Sequence, residues 1–265
     1  MEALERAFTR MGARVEFAEL TRRRVGARVA SDDLALDVRQ DQQGEYFLIS
    51  RRLASQTELL VLDIQPRDRH LLLLSRSGSE KHRYLLGHDE RHWFVAGIPE
   101  RTPVSRVRDA MAALKPQTVQ RVEYGLRQKL INRRSNAARI RQGEWFFVPA
   151  ANVAVEKFMI LHNEPLARSG GGKPHVCEEL YRTGGRTVYV RFGSAKVLTE
   201  SQYQNLTEGR RNGGRWRAMR RDMKIYVRGR VRHPDHKTVY LDGWHEVFTN
   251  TENESFAMRN VVFLD

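Results

Sequence analysis

One cysteine, eight prolines and no apolar run of membrane length set the first limits on this 265-residue chain. Cys177 alone cannot close an internal disulfide, and a single thiol cannot frame a zinc ribbon or an iron–sulfur cluster, so a reducing, cytoplasmic setting is expected. The longest apolar stretches, Leu59–Leu62 and Leu71–Leu74, fall far short of the roughly 20 residues that span a bilayer, and no signal-peptide pattern precedes them. No membrane partner is expected. Two catalytic signatures are missing as well: the G-x-S-x-G elbow of serine hydrolases and the G-x-G-x-x-G loop of dinucleotide enzymes. Neither a repeat of about 20–50 residues nor a long low-complexity tract occurs.

What the chain does have is enough apolar side chains to fold: 40% of its residues are hydrophobic, while a mean hydropathy of −0.60 keeps it in water. At about 150 residues per domain, its length implies roughly two lobes.

The formal charge of +14 is concentrated. Between Val119 and Arg141, the cations Arg121, Arg127, Lys129, Arg133, Arg134, Arg139 and Arg141 face Glu123 alone. Between Arg210 and Arg232, the cations Arg210, Arg211, Arg215, Arg217, Arg220, Arg221, Lys224, Arg228, Arg230 and Arg232 face Asp222 alone. The remainder is close to neutral. A general arginine bias would raise every segment alike, whereas a local basic footprint attracts polyanions, chiefly nucleic acid.

Met1–Met11 reads as an amphipathic helix, with Leu4, Phe8 and Met11 in register and Gly12 as its stop. Short β-like runs follow at Val15–Leu20, Leu34–Arg39, Glu45–Ser50, Leu59–Ile64, His70–Ser75, His82–Gly87 and Trp93–Ile98, separated by turn-forming clusters. Pro103 opens a helix that Lys115–Pro116 interrupts. A second helix follows, with Val119, Val122, Leu126 and Leu130 as its stripe and Arg121, Arg127, Lys129, Arg133 and Arg134 pointing elsewhere. Beyond Gly143, strands are expected at Glu144–Pro149, Lys157–Leu161 and Thr187–Phe192, with the glycine-rich Ser169–Lys173 and a short helix Pro174–Thr183 between them. The expected class is α+β: mainly antiparallel sheets in two lobes (1–99 and 143–265) joined by a basic helical segment (100–142).

From Met223 to Arg232 apolar and basic residues alternate, so one face packs on a core and the other presents cations and Tyr226. A five-residue loop, His233–Lys237, pairs Arg230 with Tyr240, Arg228 with Asp242, Tyr226 with Trp244, Lys224 with Glu246 and Val231 with Val239. A four-residue loop would set Arg230 and Arg228 against Val239 and Leu241. The outer face then holds Tyr226, Tyr240 and Trp244 among Arg228, Arg230 and Arg232, with Arg215, Trp216, Arg217, Arg220 and Arg221 just upstream. Rings stack on unpaired bases while cations follow phosphates, which suits RNA or single-stranded DNA. The plainer alternative is that Tyr226 and Trp244 pack under another element and the arginines keep an edge soluble.

Four chemical readings compete. His233, Asp235 and His236 offer metal-ligand types, although Pro-Asp is also ordinary turn chemistry, and His245 lies too far along the strand to join them. Lys173 resembles the end of a phosphate loop, but Pro174 stands where Ser or Thr should be; Lys173 and the start of the expected helix are left to hold a single phosphate. His88 and His92 have the spacing of a zinc-protease helix, but lie on a turn. A metal-dependent nuclease would use His162 at a strand end, with His175 and Glu178 on the short helix, and only that reading calls for a divalent cofactor. The leading expectation is a nucleic-acid-binding protein without catalysis of its own; an acidic protein partner is the third possibility.

Overall fold

The computed structural model describes residues 2–18, 36–50, 57–167, 173–194 and 196–252. They form a mainly β protein with several antiparallel sheets and few short helices. Helix α1 (Glu2–Met11) buries Leu4, Ala7, Phe8 and Met11, the stripe that its 3–4 spacing dictates. It ends at Gly12, whose φ of +79° and N–H bond to Thr9 O suit a left-handed cap. Strands β1 (Val15–Ala18), β2 (Leu36–Asp41) and β3 (Gly44–Ser50) make one sheet in the order β1-β3-β2, with β1 parallel to β3. Strands β4 (Glu58–Gln65), β5 (His70–Ser77), β6 (Glu80–Asp89) and β7 (His92–Ile98) form an antiparallel meander.

The meander is covered on both faces. Leu71, Leu73, Tyr84, Leu86, Trp93 and Val95 pack with Phe8 and Phe47, whereas Leu72, Leu85, Ala96 and Ile98 pack with Val104, Val107, Ala110 and Leu114. This explains why β5 reads as a run of four leucines rather than an alternation. Helix α2 (Val107–Ala113) carries the second layer, and Asp63 of β4 accepts the Val107 N–H at 2.8 Å, supplying a cap that Arg106 does not.

The helix expected after Pro116 is two short ones, α3 (Gln117–Val122) and α4 (Gln128–Ile131), broken where Gly125 takes a φ of +86°. Glu123 lies between them, buried. It accepts from Lys115 Nζ at 2.6 Å, Arg139 Nε at 2.8 Å and Asn136 Nδ2 at 2.9 Å. Lys115 and Arg139, two cations of the basic segment 100–142, are therefore core residues.

Strands β8 (Ile140–Gln142), β9 (Trp145–Pro149), β10 (Leu161–Leu166), β11 (His175–Thr183), β15 (Lys224–Arg232) and β16 (Val239–Thr249) form a six-stranded sheet in the order β10-β11-β15-β16-β9-β8. Phe147, Cys177, Leu180, Val227, Val231 and Leu241 are the fully buried residues of its core. The chain between β11 and β15 leaves that sheet as an arm: β12 (Arg186–Arg191), β13 (Val197–Thr199), α5 (Glu200–Gln204), α6 (Glu208–Asn212) and β14 (Trp216–Arg221), with sheet order β13-β12-β14.

Two expectations are corrected. Pro174–Thr183 is not a helix but strand β11, and Lys157–Leu161 is a 3-10 turn at Lys157–Met159 followed by β10. The expected strand residues Glu19, Leu20, Leu34 and Ala35 and the glycine-rich Ser169–Gly172 lie outside the described residues.

The β6–β7 turn meets the six-stranded sheet through charge. Arg141 donates to Asp89 at 2.6 Å, Arg134 pairs with Glu90, and the Lys237 N–H donates to Glu90 Oε2 at 2.5 Å.

Cys177 gives a direct check on the sheet. It is fully buried, and burial pushes its thiol up to about 12. Folded protein at pH 8 should resist a thiol-specific disulfide reagent, and urea-unfolded protein should react at once; rapid labelling of the folded form would contradict this core.

Candidate nucleic-acid interface

Near its loop the β15–β16 hairpin has the expected register, with Arg230 opposite Tyr240 and Val231 opposite Val239. Farther along it does not. Gly229 faces Leu241 but Val227 faces His245, so three residues of β16, Asp242, Gly243 and Trp244, stand against Arg228 alone in a bulge, and Tyr226 pairs with Glu246 instead of Trp244. Gly229 and Gly243 have φ of +80° and +82°, and a Cβ on Gly229 would meet Glu178 Oε2 at 2.8 Å.

The outer face is largely satisfied from within. Arg228 donates to Glu179 at 2.5 Å and lies 4.9 Å over the Trp244 ring. Arg230 bonds Glu178 through its backbone N–H at 2.8 Å and its Nε at 3.1 Å, holding that carboxyl below its usual range. Arg232 donates to Asn163 and Lys224 pairs with Glu246. Tyr226 is buried beside Tyr181, which in turn meets Trp244 edge-on at 6.4 Å. Of the three expected stacking rings, Tyr240 stands clear, at 68% exposure.

In the first basic segment, Arg134, Arg139 and Arg141 are committed to Glu90, Glu123 and Asp89. Arg127, Lys129 and Arg133 are exposed, with no carboxylate partner among the described residues.

The arm differs. Tyr203 of α5 stacks on Tyr189 of β12, centroids 3.7 Å apart and 5° from parallel, and meets Trp216 edge-on at 5.9 Å. Trp216 Nε1 donates to Arg210 O, so this indole fastens α6 to β14 rather than projecting into solvent. Around that aromatic core Arg210, Arg211, Arg215, Arg217 and Arg220 have no carboxylate partner among the described residues; Arg211 touches Gln204 and Arg220 the Gly185 carbonyl. Arg221 lies 3.8 Å from Asp222, which Arg186 also holds. Phe192, 77% exposed, is tied at its N–H to Arg215 O, next to Arg191. Sequence reasoning passed over Phe192, although an aromatic at the end of an alternating strand between two basic segments was the available signal.

The nuclease residues are not brought together. His162 is exposed on the edge strand β10 opposite Glu179, whereas His175 pairs with Leu166, four residues or about 13 Å away. Glu178 is held by Arg230. Lys173 does not precede a helix, and its amine sits 3.2 Å from both Asp235 oxygens, so the single-phosphate reading loses its helix N-terminus and its free charge.

Asp235 is turned toward Lys173, and His233 and His236 have a third imidazole in its stead. The His175 ring stacks on His233 at 4.2 Å and on His236 at 5.6 Å, and burial drives its pKa down to about 3. His245 bonds Gly243 O and stays apart, as its strand position required.

No family model matches this chain, and comparison with curated proteins and with solved structures returns no significant match, so its chemistry has to be read from the residues themselves.

Proposed function

We propose that this protein binds single-stranded nucleic acid, RNA foremost, through the arm at residues 184–223, without catalysis of its own. We take the chain as two β-rich lobes with the arm on the second. The observation that carries the reading is the set of arginines on the arm without carboxylate partners among the described residues, Arg210, Arg211, Arg215, Arg217 and Arg220, with exposed Phe192 bonded through its N–H to Arg215 O on the same arm. Guanidinium groups with no internal anion are free to neutralise phosphates, and an exposed ring on the same arm offers a stacking platform that tolerates any base. Arg127, Lys129 and Arg133 form a second set of cations for a longer strand, and Tyr240 a second platform.

Titrating a fluorescein-labelled oligouridine by anisotropy at several salt concentrations tests this. Replacing Arg217 and Arg220 together with alanine should lower the slope of log affinity against log salt by about 1.4, two phosphate contacts at about 0.7 each. Arg228→Ala should leave it nearly unchanged, because Glu179 already neutralises that cation. Phe192→Ala should weaken binding about 5- to 150-fold on single strands and far less on duplex. An unaltered slope in the double variant removes the arm from the interface. Cleavage of the oligonucleotide that EDTA abolishes would instead favour the nuclease, and capture of an acidic protein with no oligonucleotide binding the third possibility.

A further inference from the structure

Where β11 begins, the Val176–Arg232 pair sets His175 beside His233, and the loop to β16 folds His236 back over both. One ring nitrogen from each can be chosen so that all lie within 4.8 Å of one another. His175 is 1% exposed, yet neither of its nitrogens has a hydrogen-bond partner, and the same holds for Nδ1 of His236 and for Nε1 of Trp145, whose ring stands edge-on to His175 at 6.2 Å. Buried polar atoms normally find partners, and an imidazole with two unmet nitrogens is a poor way to fill a core that leucine or phenylalanine would fill without penalty.

We propose that His175, His233 and His236 form a binding site for one divalent transition-metal ion of the zinc class, with the fourth position left to water. The site stands independently of the nucleic-acid reading. Metal binding takes up neutral imidazoles and releases any protons that they carry. Bonds of about 2.0–2.1 Å in a tetrahedron put ligand nitrogens about 3.4 Å apart, so the rings need to close by at most about 1.4 Å, within reach of side-chain rotation. His233 Nε2 lies 3.0 Å from Lys173 O. A proton held there leaves Nδ1 as the ligand, the usual second contact of a metal-bound histidine, once the Asp235 N–H at 3.1 Å gives way. Gly143 makes the room: its φ is +56°, and a Cβ on it would lie 2.6 Å from His236 Nε2. Three imidazoles with no free carboxylate select zinc, cobalt, nickel or copper over magnesium and calcium. Because His236 also lies 3.8 Å from Glu90, the ion would hold the 233–237 loop between β11 and the β6–β7 turn.

Untagged protein stripped with EDTA should bind one equivalent of zinc per chain by calorimetry, and cobalt(II) in its place should give the intense visible bands of a tetrahedral site. His233→Gln and His236→Gln should each weaken zinc binding by about 100-fold or more and remove those bands, whereas His162→Gln, on exposed β10, should alter neither. X-ray absorption at the zinc edge of the unaltered protein decides the matter even if a loop variant unfolds: three imidazole ligands support the site, and fewer than three overturn it. Failure to bind zinc stoichiometrically, or binding indifferent to both folded loop variants, would overturn it as well.

Discussion

Glu123→Gln should lower the free energy of unfolding by about 3–5 kcal/mol, the usual consequence of removing one partner from a buried ion pair. Here the carboxylate serves two cations, Lys115 and Arg139, which are 5% and 2% exposed. The Ile131 carbonyl accepts from both, but a neutral oxygen does not balance two charges. Burial already lowers the lysine and arginine pKa values in the intact protein. A lysine with a depressed folded-state pKa weighs on stability below that pKa and is relieved as it loses its proton, so the deficit of the variant should narrow as pH rises toward the ordinary lysine range. Urea titrations at pH 7 and pH 9.5 measure both effects. A loss under about 1 kcal/mol, or one that does not change with pH, would mean that the charges find other partners.

Phe47→Ala should be comparably severe, about 3–5 kcal/mol, as expected for a large aromatic removed from a close-packed site. Phe47 is fully buried, with its ring 5.2 Å from that of Phe8 and 5.3 Å from that of Trp93. It therefore joins helix α1, the three-stranded sheet and the meander in one core. Oligouridine binding by the folded fraction should stay as it was, since no arginine of the arm touches this cluster. A small shift in the unfolding midpoint would show that these elements do not share a core; altered binding would show that the two ends of the molecule communicate.

Local patterns were readable wherever one strand or helix face decided them. Leu4, Phe8 and Met11 announced α1, and the alternation from Met223 to Arg232 announced β15 with the loop-proximal pairs correctly placed. The register beyond Gly229 was not readable, because a bulge within Asp242–Trp244 depends on how β16 also meets β9. The same cause hid β11. An irregularity between Cys177 and Glu179 breaks its alternation, so His175, Cys177, Leu180 and Tyr181 are the buried residues, a spacing that imitates a helix. Charge was legible as a total but not as a surface: Glu178 and Glu179 quench Arg230 and Arg228 across the sheet from about 50 residues away. Two of the three cluster histidines were visible as a loop motif. The third became visible only once the strand that carries it was seen to run beside them.

The contact between the β6–β7 turn and the six-stranded sheet with its 233–237 loop has a calorimetric corollary. Arg141–Asp89, Arg134–Glu90 and the Lys237 amide on Glu90 make it a polar seam, while the apolar clusters lie to either side. Parting that seam would wet mainly ionic groups, which contribute little or negatively to the heat capacity, whereas melting either cluster would raise it steeply. Added salt should therefore loosen the junction at temperatures where both cores remain intact.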